Sequence, residues 1–305
     1  MRRRNFSKLL QYLVIPVTVA SLPLLAQAND DDDGLKLPIR SIDPQDINAR
    51  GLDKVSGDVR WILPGPRRLD PKVFGTPAAP LGFEPDVGVP LAARLTTGDG
   101  SAYTTTAGPT PFSDNFAIIS GSYKLKAQDK TLADDPGSKD KINYSATVTS
   151  PDGANNYKIK VKQILLVGVD HPVFGGVASN MIHHGMTGIG TKMQPTQPTV
   201  AAIWGIGTIK VNGVVPEGGE NRLVHSMITC DVRDESYRLV FDDGVDCSNI
   251  QTHLMMPNVQ IVVDEEGNYE EVASPVPTGF ILPNGMEQPF LHVMFENTVV
   301  DGLGE

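Results

Sequence analysis

Cysteine and aromatic residues are scarce in this chain, and long apolar runs are confined to its N-terminus. The 305 residues include only two cysteines, and 6% are aromatic. After residue 28 no stretch is apolar enough for a transmembrane helix, and no amphipathic pattern continues beyond about two helical turns. The sequence also lacks a P-loop, a dinucleotide-binding fingerprint, a nucleophile elbow and the H-E-x-x-H motif. These absences argue against a helical membrane protein, a nucleotide-binding enzyme and the common serine or zinc hydrolases.

The first 28 residues have the features of an export signal. Residues 2–4 are arginines, an interrupted apolar stretch follows, and residues 26–28 form an A-x-A cleavage site. We therefore predict a signal peptide over 1–28 and a periplasmic or secreted mature chain that begins at Asn29. The pair Arg3-Arg4 also fits part of the twin-arginine pattern, so the twin-arginine and general secretory routes both stay open.

Acidic residues outnumber basic ones. The formal net charge is −10 at pH 7, and removal of the signal, which carries four cations and no acids, makes it more negative. A surface with this charge repels phosphate groups on average. We therefore expect no nucleic-acid partner, no attraction to anionic lipid and no membrane span after signal cleavage.

The two cysteines, Cys230 and Cys247, both follow the export signal. An oxidising compartment and an even count favour a disulfide between them. In the chain-entropy model, closure of a loop of this length stabilises the fold by roughly 3 kcal/mol. The alternative makes Cys247 a copper thiolate, because Cys247, His253 and Met255 follow one another in the order of a blue-copper loop.

Proline density divides the chain into two regions. Residues 29–112 contain frequent prolines and apolar residues but little regular periodicity, which predicts an extended, irregular arm that contacts a protein partner. From residue 113 onward, β-branched and aromatic runs such as 142–149, 157–169, 223–232 and 250–255 alternate with turn-rich breaks. Asn212-Gly213 is a type I′ hairpin signal. This pattern predicts an all-β fold over 113–305, an antiparallel β-sandwich with one or two layered sandwiches.

Histidine and methionine occur together more often than chance allows. Four of the six histidines are followed two residues later by methionine. Random placement of these residues would give about 0.2 such pairs. Because residues i and i+2 of a strand point to the same face, each pair can present an imidazole and a thioether to one object. Imidazole with thioether is a ligand set that suits copper.

The pairs, together with the adjacent His183 in a glycine-bounded segment, define a candidate metal site. We predict copper as the cofactor of an exported β-protein that serves metal handling or an oxidative reaction. Three interpretations of the residues stay open: copper ligands, core packing in a non-enzymatic binding or structural module, and zinc or other uses of the histidines. The sequence does not decide whether the protein is an enzyme. The candidate ligands are His183, His184, Met186, His225, Met227, His253, Met255, His292 and Met294.

Overall fold

Antiparallel β-strands make up nearly all of the regular structure. The computed structural model describes residues 45–82, 89–130, 139–166, 175–265 and 268–301. The predicted signal peptide, the first part of the predicted arm and His171 lie outside these residues. The helical segments are one short helix, α1 (Pro71–Phe74), and two 3₁₀ turns, Leu91–Ala93 and Asp242–Gly244. The strands are β1 (Gln45–Gly51), β2 (Val59–Ile62), β3 (Gly75–Thr76), β4 (Ala79–Pro80), β5 (Arg94–Thr96), β6 (Tyr103–Thr106), β7 (Phe116–Ile118), β8 (Gly121–Asp129), β9 (Lys141–Thr149), β10 (Asn156–Ile164), β11 (Gly176–His183), β12 (Gln197–Val211), β13 (Arg222–Asp231), β14 (Asp246–Met256), β15 (Val259–Val263), β16 (Tyr269–Ala273), β17 (Leu291–Phe295) and β18 (Thr298–Val300).

Fourteen of these strands form one large sheet, and eleven of them follow one another in the order β18-β1-β8-β9-β10-β12-β13-β14-β17-β2-β7. Strand β11 pairs with β12 beside this path, and the β15–β16 hairpin joins through β13. Strands β3 with β4 and β5 with β6 form two separate ribbons. Among the described residues, no helix is long and apolar enough to cross a membrane.

The large sheet folds over on itself, so that its two halves pack face to face. Tyr123 of β8 hydrogen-bonds Thr252 of β14 at 2.6 Å, and the ring of Trp61 in β2 packs against Tyr157 of β10 at 5.2 Å between centroids. One buried cluster contains apolar residues from both halves. The predicted all-β, antiparallel, sandwich-like architecture is confirmed.

Strand β12 connects the two layers. Its first part pairs with β11 and β13, and its last part pairs with β10. Two glycines let the neighbouring strands approach closely at this crossing. A Cβ at Gly205 would lie 2.4 Å from the side chain of Val161, and one at Gly207 would lie 2.7 Å from that of Val224.

Local turn signals were good predictors of the structure. Asn212 and Gly213 both have positive φ, 51° and 86°, as a type I′ turn requires. Within the segment predicted as an outer arm, however, β1 pairs with β8 and β2 pairs with β17. These parts of the arm are integral strands of the large sheet. Strand β11 was also not predicted, because its glycines and mixed polarity hide the strand pattern.

The predicted disulfide is confirmed. The Cys230 and Cys247 sulfurs are bonded across β13 and β14, with 4.5 Å between the Cα atoms. Both cysteines are used in this bond, so neither supplies a thiolate. The alternative in which Cys247 ligates copper is therefore wrong for this structure.

Removal of the disulfide should lower stability without affecting metal chemistry. The Cys230→Ser/Cys247→Ser variant is expected to lose roughly 3 kcal/mol of unfolding free energy, because the unfolded chain is no longer cross-linked. Urea denaturation of both proteins, with reduced wild type as control, measures this loss. Copper affinity should stay the same, and a loss of affinity in the folded variant would restore Cys247 as a ligand.

Candidate metal centre

Strand alternation gives one layer of the sheet two chemically different faces. In β13, β14 and β17 the fully buried residues Val224, Leu254 and Val293 point into the core between the layers. The residues between them point to the opposite face. That face carries three of the predicted pairs: His225 with Met227, His253 with Met255, and His292 with Met294.

The register between these strands places histidine beside methionine. Each histidine lies opposite a methionine of the adjacent strand, and neighbouring strands present the two residue types in alternating order. The sequence pairs therefore become a two-dimensional array of imidazoles and thioethers. The paired positions are His225 with Met255, Met227 with His253, His253 with Met294, and Met255 with His292.

All five described histidines line one cavity. Its volume is about 1240 Å³, and two of the methionines, Met227 and Met255, also line it. Met286, which is 66% exposed, lies at its edge. The predicted histidines thus share one space, which strand geometry alone did not guarantee. The histidines are His183, His184, His225, His253 and His292.

Three of the histidines are close enough to bind one ion. His183, His184 and His225 each have a ring nitrogen within 4.8 Å of the others. The rings of His183 and His184 stack at 3.8 Å between centroids, and His225 lies nearly perpendicular to His183 at 5.3 Å. Two ligands of one metal ion typically lie about 3–3.5 Å apart, given bonds of about 2.0–2.3 Å. Small side-chain rotations would bring the three nitrogens to that spacing.

A left-handed residue explains why two consecutive histidines face the same side. Neighbouring residues of a strand point to opposite faces. Strand β11 ends at His183, and His184 has φ 63°, which turns its ring back toward that of His183. The turn is stabilised by hydrogen bonds from the His184 amide to the Ile189 carbonyl and from the Thr187 hydroxyl to the His184 carbonyl.

Gly190 brings the following loop against the histidine pair. A Cβ at this position would lie 2.6 Å from Nε2 of His183 and 2.6 Å from Nδ1 of His184. Its φ of 69° also disfavours any other residue. The glycine-rich sequence after His184 is therefore needed for close approach of the backbone to the two rings.

Backbone carbonyls orient two of the other rings. Nδ1 of His225 lies 3.0 Å from the Ile203 carbonyl, and Nδ1 of His292 lies 2.8 Å from the Pro111 carbonyl. In the neutral tautomer these Nδ1–H groups donate, which puts the lone pair on Nε2. Metal-binding histidines commonly have such an acceptor on the nitrogen that does not face the metal.

His253 is part of a buried polar chain. Its Nε2 lies 3.3 Å from the side-chain amide of Gln251, which in its best-satisfied orientation accepts from His253 and donates to Glu296 at 3.2 Å. Glu296 accepts a hydrogen bond from the Tyr237 hydroxyl. Burial raises the pKa of Glu296 to about 7. Among the described residues, Nδ1 of His253 has no hydrogen-bond partner although it is buried.

A thioether and an indole complete the surroundings of the three histidines. The Met227 sulfur lies 2.9 Å from Nε2 of His184, so the thioether contacts the ring directly at the position where a shared ion would have to enter. Trp204 stacks on His225 at 4.7 Å between ring centroids and lies edge-on to His183 at 5.5 Å. Trp204 therefore covers one side of the cluster and shields it from solvent.

Burial keeps His184, His253 and His292 in the neutral form that metal coordination requires. It lowers the pKa of His184 and of His253 well below the usual value, and nearby histidines add to the effect through charge repulsion. Burial also lowers the pKa of His292 to about 4. Uncharged rings at neutral pH have lone pairs available for a metal ion without prior loss of a proton.

Two predicted ligands lie away from the cavity wall. Met186 is 57% exposed in the turn after His184, so this pair is not on a strand. Met294 is 0% exposed and packs with Ile62 and Tyr237 in a separate apolar cluster. Their geometry gives no support to a role in binding.

Sequence reasoning did not predict that part of the Pro-rich segment would line the cavity. Pro64 and residues 109–112 form part of its wall, and the ring of Phe112 meets His292 edge-on at 6.0 Å. The dense prolines were the available signal, but they were interpreted as a partner-binding arm. Proline removes backbone donors, which suits a wall built from irregular chain.

No protein-family model matches the chain, and no curated protein or solved structure matches it. The geometry of the cavity is therefore the basis for any functional proposal.

Two glycines of the same loop provide a matched test of the histidine arrangement. Gly188→Ala and Gly190→Ala both place alanine at positive φ, 78° and 69°, which costs about 1–2 kcal/mol of stability in each case. Only the Gly190 Cβ would contact the rings, since nothing lies within 4 Å of a Cβ at Gly188. We expect Gly190→Ala alone to shift the imidazole NMR signals of His183 and His184. Equal shifts in both variants would contradict this packing.

Proposed function

We propose that this protein binds copper in the cavity, with His183, His184 and His225 as nitrogen ligands and Met227 as a thioether ligand. The observation that carries the proposal is the convergence of three buried imidazoles within 4.8 Å next to the Met227 sulfur. The chain is expected to act in copper storage, delivery or copper-dependent oxidation.

The chemistry of the donor set favours copper over other ions. Calcium and magnesium prefer oxygen ligands, whereas this cluster offers nitrogen and sulfur. Three histidines are also a ligand set of catalytic zinc sites, so the Met227 thioether is the ligand that favours copper over zinc. Thioether ligands favour Cu(I), while imidazoles keep Cu(II) accessible. A site with both ligand types supports binding in either oxidation state.

The other two histidines that line the cavity, His253 and His292, could provide further ligands. The rings of His253 and His292 lie 5.7 Å apart, with Met255 beside His292 in the register. They are not members of the three-histidine cluster. We assign them a supporting role as a second group of ligands, through which an ion passes or in which a second ion is held.

A copper-dependent oxidation is the second candidate function, and the size of the cavity favours it. A volume of about 1240 Å³ exceeds what an ion needs, and it is larger than the roughly 300–1,000 Å³ of a typical site for a small organic molecule, so such a molecule has room to enter. Copper-loaded protein with a reductant should then consume oxygen faster when an organic substrate is added. A pure metal-handling protein should instead transfer its copper to a competing chelator without oxygen consumption.

Two methionine substitutions test the thioether ligand. Met227→Leu conserves volume and removes the sulfur, so we expect Cu(I) affinity to fall by about tenfold or more. Met186→Leu is the matched control and should leave affinity unchanged, because Met186 is exposed and does not line the cavity. Competition titration with a Cu(I) chelator measures both.

The core-packing alternative makes the opposite prediction. If wild type binds no more copper than the folded His225→Ala/His253→Ala variant, the histidine–methionine pairs only fill space. The protein is then a non-enzymatic binding or structural module.

We also propose that the protein is exported to the periplasm or secreted. The disulfide supports an oxidising compartment, and the A-x-A site at 26–28 supports cleavage before Asn29. Mass spectrometry of the protein purified from cells should find Asn29 at or within two residues of the N-terminus. An intact Met1 would contradict export by this route.

A further inference from the structure

Basic residues are concentrated on one face of this acidic protein. In β8, β9 and β10 the apolar residues point into the core, so the intervening residues point outward. Seven of the chain's 14 lysines lie on the outward face of these strands and the adjoining end of β12, and all seven are exposed. They are Lys124, Lys126, Lys141, Lys158, Lys160, Lys162 and Lys210.

The sheet register fixes how these lysines are spread. Lys158 lies directly opposite Lys210 on β12. Lys160 lies opposite Ser145, which in turn lies opposite Lys124. With strands about 4.8 Å apart, neighbouring lysines on this face are separated by about 5–10 Å. The result is an extended, positively charged surface and not a single pocket.

This positive charge is not neutralised within the described part of the protein. The cations of the ion pairs found there are Arg50, Arg68, Lys72 and Arg238, none of which belongs to the seven. Among the described residues, the other outward-facing side chains of β8, β9 and β10 are neutral. They are Ser122, Gln128, Asn143, Ser145, Thr147, Thr149 and Asn156.

We propose that this lysine face binds the surface of a membrane containing anionic phospholipids. An extended array of ammonium groups complements the charge of a layer of negatively charged headgroups. The face has no outward aromatic side chains in β8, β9 and β10, so it lacks the stacking platforms typical of single-stranded nucleic-acid sites. Lysine also acts as a point charge, whereas arginine is preferred for bidentate recognition of individual phosphates.

The net negative charge of the chain does not prevent this interaction. Strands β15 and β16, which carry Glu270 and Glu271, join the sheet through β13, and Tyr269 of β16 accepts a hydrogen bond from Gln163 at the end of β10. Acidic groups that face away from the membrane act on it mainly through the surrounding solution, where interactions between exposed charges are largely screened beyond about 8 Å at physiological salt. The expectation from net charge alone is that anionic lipid is repelled, and the proposal makes this face an exception to it.

Binding in this orientation leaves the cavity accessible. The lysine face is the outer side of one layer, and the histidine–methionine face is the outer side of the other, with the main core between them. A protein held by its lysines would present the cavity away from the membrane. The membrane proposal does not depend on metal binding and is tested separately.

Sedimentation with vesicles tests the proposal through two variants of equal charge. Lys158→Glu/Lys160→Glu changes the lysine face, and Lys54→Glu/Lys72→Glu changes two exposed lysines elsewhere by the same amount. The probes are vesicles of phosphatidylglycerol and phosphatidylcholine, with pure phosphatidylcholine vesicles as control. The two variants have the same net charge, so a difference in vesicle binding between them reports on the lysine face.

We expect wild type and the Lys54/Lys72 variant to bind the anionic vesicles and to be released by high salt. The Lys158/Lys160 variant should bind at least about 25-fold more weakly, since each lysine near an anionic surface contributes about fivefold. Equal weakening in both variants, or no binding to anionic vesicles by wild type, overturns the proposal. Binding to a soluble polyanion such as heparin without binding to vesicles also overturns it.

Discussion

Burial of one face of β13, β14 and β17 is the constraint on which the rest of the molecule depends. Val224, Leu254 and Val293 are fully buried between the layers. A shift of any of these strands by one residue would move its apolar side chains out of the core and its histidines into it. Core packing therefore fixes the register, and the register fixes where the imidazoles and thioethers meet. The cavity lies on the other face of the same strands, so the packing of the core determines which side chains line it.

The proposed metal binding would account for one feature of the histidine array that core packing does not explain. A buried polar atom without a partner typically costs about 1–3 kcal/mol. Nδ1 of His253 is such an atom among the described residues, and the face around it includes a cavity of about 1240 Å³. Leucine at these positions would fill space without that penalty. Polar groups that are both buried and unsatisfied concentrate at functional sites, and a metal ion would satisfy this nitrogen directly.

Local features of the structure followed from the sequence, whereas features that depend on strand pairing did not. The i, i+2 spacing predicted that His225 and Met227 share a face, and Asn212-Gly213 predicted its turn, because both depend on neighbouring residues only. The sequence contained no information on which strands are adjacent, so it could not separate Met227, beside the cluster, from Met294 in an apolar cluster. The stacking of His183 on His184 depends on a left-handed φ at His184 that no sequence pattern indicated. The net charge of the chain likewise gave no sign of the lysine face, because its lysines come together only when β8, β9 and β10 pair.

Anomalous diffraction at the copper absorption edge, from crystals of the copper-loaded protein, tests the central claim most directly. The account predicts a strong peak inside the cavity, within bonding distance of nitrogens from His183, His184 and His225 and of the Met227 sulfur. A crystal with copper only at exposed surface residues, or with no peak in the cavity at saturating copper, would contradict it.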